Sequence, residues 1–99
     1  MKTVKEIKSV LSKHKEGLMK QYRIKEIGIF GSVVRGEQKE TSDVDILVEF
    51  EEDAKLSLLE FVNMENYLGD LLGMKVDLVE KPALKPRIGK IILKEVIYL

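Results

Sequence analysis

Two aspartates one residue apart, Asp43 and Asp45, begin a short apolar segment that ends at Phe50. Because alternate side chains of a β-strand point to the same face, this spacing predicts two carboxylates close together on one side of a sheet. Neighbouring carboxylates repel each other, and a bound cation offsets that repulsion. Their hard oxygens suit Mg²⁺ or Mn²⁺, which also accept phosphate oxygens. The alternative interpretation is a polar turn that only starts the strand.

A second feature, Gly31 followed by Ser32, comes directly after an apolar segment and before a predicted helical turn. The start of a helix presents free backbone N–H groups and the positive end of the helix dipole, and the serine adds a hydroxyl. These groups together suit a phosphate. Gly-Ser after a strand is also common as a tight turn without a ligand, so the pair alone leaves both interpretations open.

A third carboxylate, Asp77, lies within the otherwise apolar segment Val76 to Val79. An unpaired carboxylate in a buried strand costs free energy to desolvate, so this position needs an explanation. If the strand lies beside the one that carries Asp43 and Asp45, the three carboxylates can hold two metal ions about 3.5 to 4 Å apart, as in phosphoryl or nucleotidyl transfer. The alternative is that Asp77 faces solvent on the open side of the sheet.

The elements that must position these residues follow from hydrophobic periodicity. Thr3 and Glu6 have the spacing of a capping box and predict the start of a helix, which Gly17 is a candidate to interrupt. Further helices are predicted at 33–35, 56–72 and 87–95, and strands at 24–30, 43–50, 75–79 and 96–99. This order predicts a single α+β domain over residues 1–99, with helices on one face of a small sheet.

The helix predicted at 56–72 is expected to be the main core helix, and Gly73 is expected to end it. Its apolar residues recur close to every 3.6 positions and are Leu58, Phe61, Val62, Leu68, Leu71 and Leu72. His14, the single histidine, occupies an apolar position of the first helix and is predicted to be a packed core residue.

The composition excludes several classes of function. The chain has 99 residues, in which 17 lysines and arginines balance 17 aspartates and glutamates, so charge does not favour general nucleic-acid binding. It has no cysteine, which excludes disulfides, thiolate metal sites and cysteine nucleophiles. No segment approaches the roughly 20 apolar residues of a membrane span. We therefore expect a cytoplasmic protein without a membrane segment.

The segment Gly28 to Phe50, GIFGSVVRGEQKETSDVDILVEF, resembles the signature of the DNA polymerase β-like nucleotidyltransferase superfamily. Gly-Ser is followed by ten residues and then Asp-x-Asp, and the later LLGMKVDLVE is similar to the minimal nucleotidyltransferases. The resemblance implies the polymerase β-like fold, a small mixed β-sheet flanked by helices. It also implies that ATP, with two Mg²⁺ ions, donates AMP to an acceptor hydroxyl. Many such proteins are antitoxins that adenylylate a tyrosine of a HEPN ribonuclease toxin.

The same resemblance implies a role for each matching position. By this resemblance, Gly31 and Ser32 bind the nucleotide phosphates, and Asp43 and Asp45 ligate both metal ions. Asp77 ligates the catalytic metal and also acts as a general base.

Two further polar features, Arg35 and an acidic run after Val48, each allow two interpretations. Arg35 either binds a phosphate bidentately or forms a structural brace with Glu37 or with an aspartate of the site. The acidic run formed by Glu49, Glu51, Glu52 and Asp53 is predicted to be a solvated loop, not a further metal site.

We therefore expect a Mg²⁺-dependent nucleotidyltransferase that transfers AMP from ATP to a hydroxyl, a tyrosine in a HEPN toxin, and so acts as an antitoxin. Larger nucleotidyltransferases carry a further helical domain, and the expectation here is an open cleft that the partner closes. One alternative is a catalytically inactive antitoxin that neutralises the toxin by binding. Another is a small-molecule nucleotidyltransferase of the antibiotic-modifying type. Nucleic-acid tailing is a third, disfavoured by the zero net charge.

Overall fold

Residues 2–99 are described by a computed structural model in which four helices alternate with four strands. The elements are α1 Val4–Tyr22, β1 Ile24–Phe30, α2 Ser32–Arg35, β2 Val44–Phe50, α3 Leu58–Leu72, β3 Val76–Glu80, a 3₁₀ turn Lys81–Ala83, α4 Pro86–Glu95 and β4 Ile97–Tyr98. The predicted order of helices and strands is confirmed. The 3₁₀ turn was not predicted.

The four strands form one mixed sheet in the order β3-β2-β1-β4. β1 is antiparallel to both β2 and β4, whereas β2 and β3 are parallel. A parallel pair needs a long crossover connection, and α3 provides it. The predicted α+β class with a small mixed sheet flanked by helices is confirmed.

Helix α1 begins at the predicted capping box, in which the Thr3 hydroxyl accepts a hydrogen bond from the Glu6 backbone N–H. The predicted interruption at Gly17 is wrong, because the helix continues through this residue to Tyr22. No atom lies within 4 Å of the place where a Cβ of Gly17 would be, so the glycine serves no close packing contact. Burial of the opposite face of α1 sustains the helix despite the glycine.

Helix α3 begins later than predicted, because Ser57 caps it. The Ser57 hydroxyl accepts a hydrogen bond from the Glu60 backbone N–H, and Gly73 ends the helix in a left-handed conformation as predicted. The predicted core face is partly wrong: Leu58 is 80% exposed, and the buried residues are Met64, Leu68 and Leu72. The α3 stripe that contacts the sheet is thus rotated from the predicted one.

Alternation in the strands divides the sheet into two faces. The even-numbered residues Val44, Ile46 and Val48 are buried in the core that α1 and α3 cover. Asp45, between them, faces the opposite side. Helix α4 borders that opposite side, so the prediction of helices on one face alone is wrong for α4.

The short strand β4 pairs with β1 at the edge of the sheet, where Gly28 lies opposite Tyr98. A Cβ at Gly28 would stand 2.6 Å from the Val96 side chain, so this glycine permits the close approach. Within residues 2–99, none of the helices combines the length and apolarity that crossing a bilayer demands.

Candidate active site

Asp45 lies at the centre of a row of three residues that cross the sheet. Its register partner in β1 is Phe30, and its register partner in the parallel strand β3 is Asp77. Partners in register point to the same face, so Asp45 and Asp77 are side by side on the face bordered by α4. Asp43 precedes β2 by one position and shares the parity of Asp45. The structure thus brings the three predicted carboxylates to one end of the β2–β3 pair.

The environment of Asp45 disfavours its negative charge. Burial, together with the nearby carboxylates of Asp77 and Asp43, raises the pKa of Asp45 to about 6, while Arg35 acts in the opposite direction. A carboxyl group with such a pKa is partly protonated close to neutral pH. A cation among these carboxylates would favour the ionised form, so the group has the electrostatic character of a cation site.

Asp77 is exposed to solvent. The expectation that it is a buried carboxylate with a desolvation cost is therefore wrong, because β3 is the edge strand of the sheet and α4 leaves the cleft open at this point. The two interpretations of Asp77 turn out to be compatible. The residue lies on the open face of the sheet, and that face carries Asp45 beside it.

The turn after β1 places Gly31 directly against Asp45. Gly31 has a φ of +82°, a conformation that L side chains rarely adopt, and a Cβ built on it would collide with the Asp45 carboxylate. Ser32 begins α2 and is half-buried, and Gly36 ends the helix as predicted. Only glycine at position 31 lets the backbone of this turn approach the carboxylates so closely.

Arg35 forms ion pairs with two glutamates. Its Nε donates to Glu37 at 2.7 Å, and its guanidinium also donates to Glu95 at 2.8 Å. The brace with Glu37 that the sequence left open is thus present, whereas the second partner is Glu95 and not an aspartate. The phosphate-binding role of Arg35 stays a prediction.

Glu95 was not among the predicted site residues. The backbone N–H of Gly31 donates to the Glu95 carboxylate at 2.6 Å, and the side chain is only 15% exposed. A signal was available, because a glutamate in the last turn of a helix faces the negative end of the helix dipole and needs a compensating partner. Residue type alone does not say where that partner lies.

A cavity of about 460 Å³ connects these groups. Its lining combines residues of the sheet, Gly31, Arg35 and α4, and includes Asp45, Asp77, Ile88, Ile91 and Glu95. A larger cavity of about 790 Å³ lies at the other end of β2 and β3, beside the start of α3. That larger cavity contains none of the predicted site residues, so the smaller one is the candidate active site.

The donor set fits a hard divalent cation by its chemistry, since Asp43 and Asp77 lie near enough to Asp45 to raise its pKa. Over residues 2–99, however, the side chains form no group of three acidic or histidine ligands already closed around a single position. Asp43, Asp45 and Asp77 would hold such an ion only with their side chains closer together than they are here. The residues suit Mg²⁺ by chemistry, and their rearrangement would accompany binding.

The other polar residues for which the sequence made a prediction, His14 and the acidic run, lie away from this cavity. His14 is half-buried, and its Nδ1 lies 3.0 Å from the Val10 carbonyl oxygen in the same helix, so it is a partly packed residue instead of a fully buried one. In the acidic run, Glu51 and Glu52 are exposed and Asp53 pairs with Arg23, as expected for a solvated loop. The expectation is wrong for Glu49, which lies in β2 and pairs with Lys81 at 3.6 Å.

Comparisons with known proteins show the family of the chain. The family model described as a nucleotidyltransferase domain matches residues 11–99. The protein adenylyltransferase MntA of Thermococcus cleftensis is 54% identical over 99 residues, which cover 100% of this chain and 98% of the relative.

Solved structures share the fold. A structure described as a minimal nucleotidyltransferase has a TM-score of 0.74 and 35% identity, covering 94% of this chain and 95% of that chain. A structure of a tri-AMPylated Shewanella oneidensis HEPN toxin in complex with an MNT antitoxin has a TM-score of 0.65 and 18% identity, covering 93% and 70% of the two chains. At that identity the second likeness supports the fold alone.

Proposed function

The chain belongs to the nucleotidyltransferase domain family, and we propose that it is a protein adenylyltransferase that transfers AMP from ATP to a hydroxyl of a HEPN-type toxin. The curated relative named above is a protein adenylyltransferase, and it matches this chain over its whole length. The observation that carries the proposal is the register pairing of Asp45 with Asp77 beside the Gly31 turn. That pairing brings the acidic side chains to the cleft that Gly31 also lines, and we assign phosphate binding to the groups of that turn.

The chain's own residues divide into two sets. The N–H of Gly31 and the hydroxyl of Ser32 would bind phosphate oxygens, since they lie at the start of a helical turn beside the carboxylates. Asp43, Asp45 and Asp77 would hold Mg²⁺, for which we propose two ions. When bound, the metal neutralises phosphate charge and lowers the proton affinity of a coordinated hydroxyl.

Asp77 is the carboxylate that an acceptor can reach, because it is exposed whereas Asp45 is half-buried. We assign to its carboxylate oxygen the acceptance of the proton from the acceptor hydroxyl. Arg35, already paired with two glutamates, keeps the turn in place and contributes positive charge beside the phosphates.

A protein acceptor is favoured by the apolar rim of the cavity. Ile88 and Ile91 of α4 are 56% and 61% exposed and line the same cavity as Asp45 and Asp77. Apolar residues at the mouth of a site suit contact with another protein's surface better than contact with a small cationic sugar. The related toxin–antitoxin complex contains an AMPylated HEPN toxin, which is the acceptor class we propose here.

A binding-only antitoxin is the second candidate, and one observation favours it. Within residues 2–99 the carboxylates are not arranged as a closed metal site, so a protein that only covers its toxin would need no rearrangement. The two candidates differ in whether a covalent AMP group appears on the toxin.

The test uses ATP labelled at the α-phosphate and a purified HEPN-type toxin. We expect label on the toxin with the wild type and with Asp70→Asn, an exposed aspartate of α3 outside the cavity, and none with Asp45→Asn. Neutralisation of the toxin by the wild type without any incorporated label would support the binding-only candidate and overturn AMP transfer.

A further inference from the structure

The last residue of α4, Glu95, is bound by two positively polarised groups of the candidate active site. One carboxylate oxygen accepts the Gly31 N–H at 2.6 Å, and both oxygens accept from the Arg35 guanidinium, at 2.8 and 3.1 Å. Charge-assisted hydrogen bonds of this length are among the stronger ones in proteins. The carboxylate thus occupies donors that face the cavity.

The position of Glu95 in its own helix is unfavourable. The C-terminal end of a helix carries partial negative charge, and α4 ends at this glutamate. Its side chain is also largely buried, and its charge disfavours ionisation of Asp45. The bonds to Gly31 and Arg35 compensate for these costs, so Glu95 is held where it is by the site and not by its helix.

We propose that Glu95 is a positioning residue that occupies the phosphate-binding donors in the nucleotide-free protein and is displaced by a phosphate group when nucleotide binds. The inference rests on the proposed function, which assigns the Gly31 N–H to a phosphate. A carboxylate and a phosphate oxygen are both anionic acceptors, and one N–H cannot donate fully to two of them. Glu95 therefore competes with the ligand for Gly31 and Arg35.

This competition gives the site a preference for ligands of high charge. A singly charged anion gains little by replacing a carboxylate that already satisfies the same donors. A polyphosphate carries several charges, and the aspartates would hold a cation that adds to its attraction, so we expect it to displace Glu95. Until then, the carboxylate keeps the Gly31 amide and Arg35 directed toward the cavity.

The matched control is Glu37, the other glutamate bound to Arg35. Its carboxylate accepts a hydrogen bond from Arg35 Nε at 2.7 Å, so both glutamates bind the same guanidinium. The Glu37 side chain is 62% exposed, and the Gly31 N–H donates to Glu95 and not to Glu37. Replacing either glutamate by glutamine removes one negative charge beside Arg35. Only the replacement of Glu95 weakens the competitor for the Gly31 amide.

The experiment measures binding of inorganic tripolyphosphate in the presence of Mg²⁺ by calorimetric titration. We expect Glu95→Gln to bind about tenfold more tightly than the wild type, since a charge-assisted bond to the competitor becomes a neutral one. Glu37→Gln should stay within about twofold of the wild type on the same grounds. Equal or weaker binding by Glu95→Gln, equal tightening by Glu37→Gln, or no binding by any of the three proteins would overturn the proposal.

A second measurement follows the amide resonance of Gly31 by ¹H–¹⁵N NMR. We expect the Gly31 resonance of Glu95→Ala to differ from that of the wild type, and the wild-type resonance to move when tripolyphosphate is added. Glu37→Ala should leave the resonance at its wild-type position. A Gly31 resonance that is insensitive to Glu95→Ala would overturn the proposal even if tripolyphosphate binds.

Neither measurement requires AMP transfer, so the two proposals can fail separately. If labelled AMP reaches the toxin but Glu95→Gln binds tripolyphosphate like the wild type, the Glu95 proposal fails alone. If Glu95→Gln tightens binding as expected but no label reaches the toxin, the adenylyltransferase proposal fails and Glu95 remains an occupant of an anion site.

Discussion

Asp45 and Asp77 are register partners in adjacent parallel strands, and their side chains leave the same face of the sheet. Parallel pairing of β2 and β3 fixes this relationship, since a shift by one residue would turn one of the two carboxylates to the other face. The charge of Asp77 then raises the pKa of Asp45 in addition to the effect of burial. This coupling between two strands is the basis for several predictions.

The first prediction concerns stability in the absence of divalent cations. Burial and the neighbouring carboxylates raise the pKa of Asp45 from 3.8 to about 6, so the folded protein holds this proton more tightly than the unfolded chain does. The free energy of unfolding should therefore contain a contribution that is complete below about pH 4 and is lost as the pH rises through about 6. Asp45→Asn removes the titrating group. We expect the variant to be more stable than the wild type at pH 7 in EDTA.

Denaturant unfolding of the wild type and Asp45→Asn at pH 4, 5, 6 and 7, in EDTA, tests this pH dependence of stability. The advantage of Asp45→Asn should grow across the series, and Asp70→Asn, an exposed aspartate of α3, should show no such growth. A difference between Asp45→Asn and the wild type that is constant with pH would contradict the assignment.

The second prediction concerns Asp77 itself. Asp77→Asn removes a charge that raises the pKa of Asp45, so Asp45 should titrate at lower pH in the variant. If Asp77 also accepts the proton of the acceptor hydroxyl, AMP transfer should fall by about a factor of 100 or more. Single-turnover transfer of labelled AMP, beside NMR titration of the Asp45 carboxyl carbon, separates the two effects. Wild-type turnover in Asp77→Asn would remove this residue from the catalytic site.

The segment around the Gly31 turn shows which features the local sequence is able to predict. Gly31 and Gly36 bound a four-residue helix that ends at Arg35 as predicted and begins at Ser32, one residue before the predicted start. Both ends are determined locally by glycines of positive φ. The strand from Ile24 to Phe30 is likewise bounded as predicted. Glycine positions and hydrophobic alternation therefore predict these elements and the shared parity of Asp43 and Asp45, whereas the common face of Asp45 and Asp77 depends on the pairing of β2 with β3.

The contacts of Glu95 are an example of long-range contacts that the local sequence does not predict. Glu95 and Gly31 are 64 positions apart, and nothing near either residue indicates the other. The same holds for the position of α4 beside the cavity that Asp45 lines, which depends on how the whole sheet is covered. The exposure of Asp77 follows from that arrangement too, so the sequence indicated the carboxylate but not its access to solvent.

The third prediction uses metal and nucleotide. A ligand that binds only the folded protein stabilises it by about 2.7 kcal/mol at 100 times its dissociation constant. ATP with Mg²⁺ should therefore raise the melting temperature of the wild type, whereas ATP with EDTA should raise it little, because the carboxylates would then repel the phosphates. Thermal melts in both conditions make the comparison. Equal stabilisation with and without Mg²⁺ would contradict a metal-dependent nucleotide site.

The fourth prediction separates two glycines that share a positive φ. Gly31 and Gly36 have φ values of +82° and +71°, so an alanine at either position is strained. No atom lies within 4 Å of a Cβ at Gly36, whereas a Cβ at Gly31 would collide with the Asp45 carboxylate. Gly36→Ala should therefore cost about 1 kcal/mol of stability, the strain of the left-handed backbone alone, and leave AMP transfer intact.

Gly31→Ala should cost more than about 2 kcal/mol, since its backbone region is sparsely populated by other residues and the collision is added to that strain. Because the collision displaces Asp45, Mg²⁺-dependent stabilisation by ATP and transfer of AMP should both be lost in the fraction of protein that remains folded. Unfolding curves give the first quantity, and melts with Mg²⁺ and ATP give the second. If Gly31→Ala and Gly36→Ala were equally stable and equally active, the close approach of the turn to Asp45 would have no part in the site.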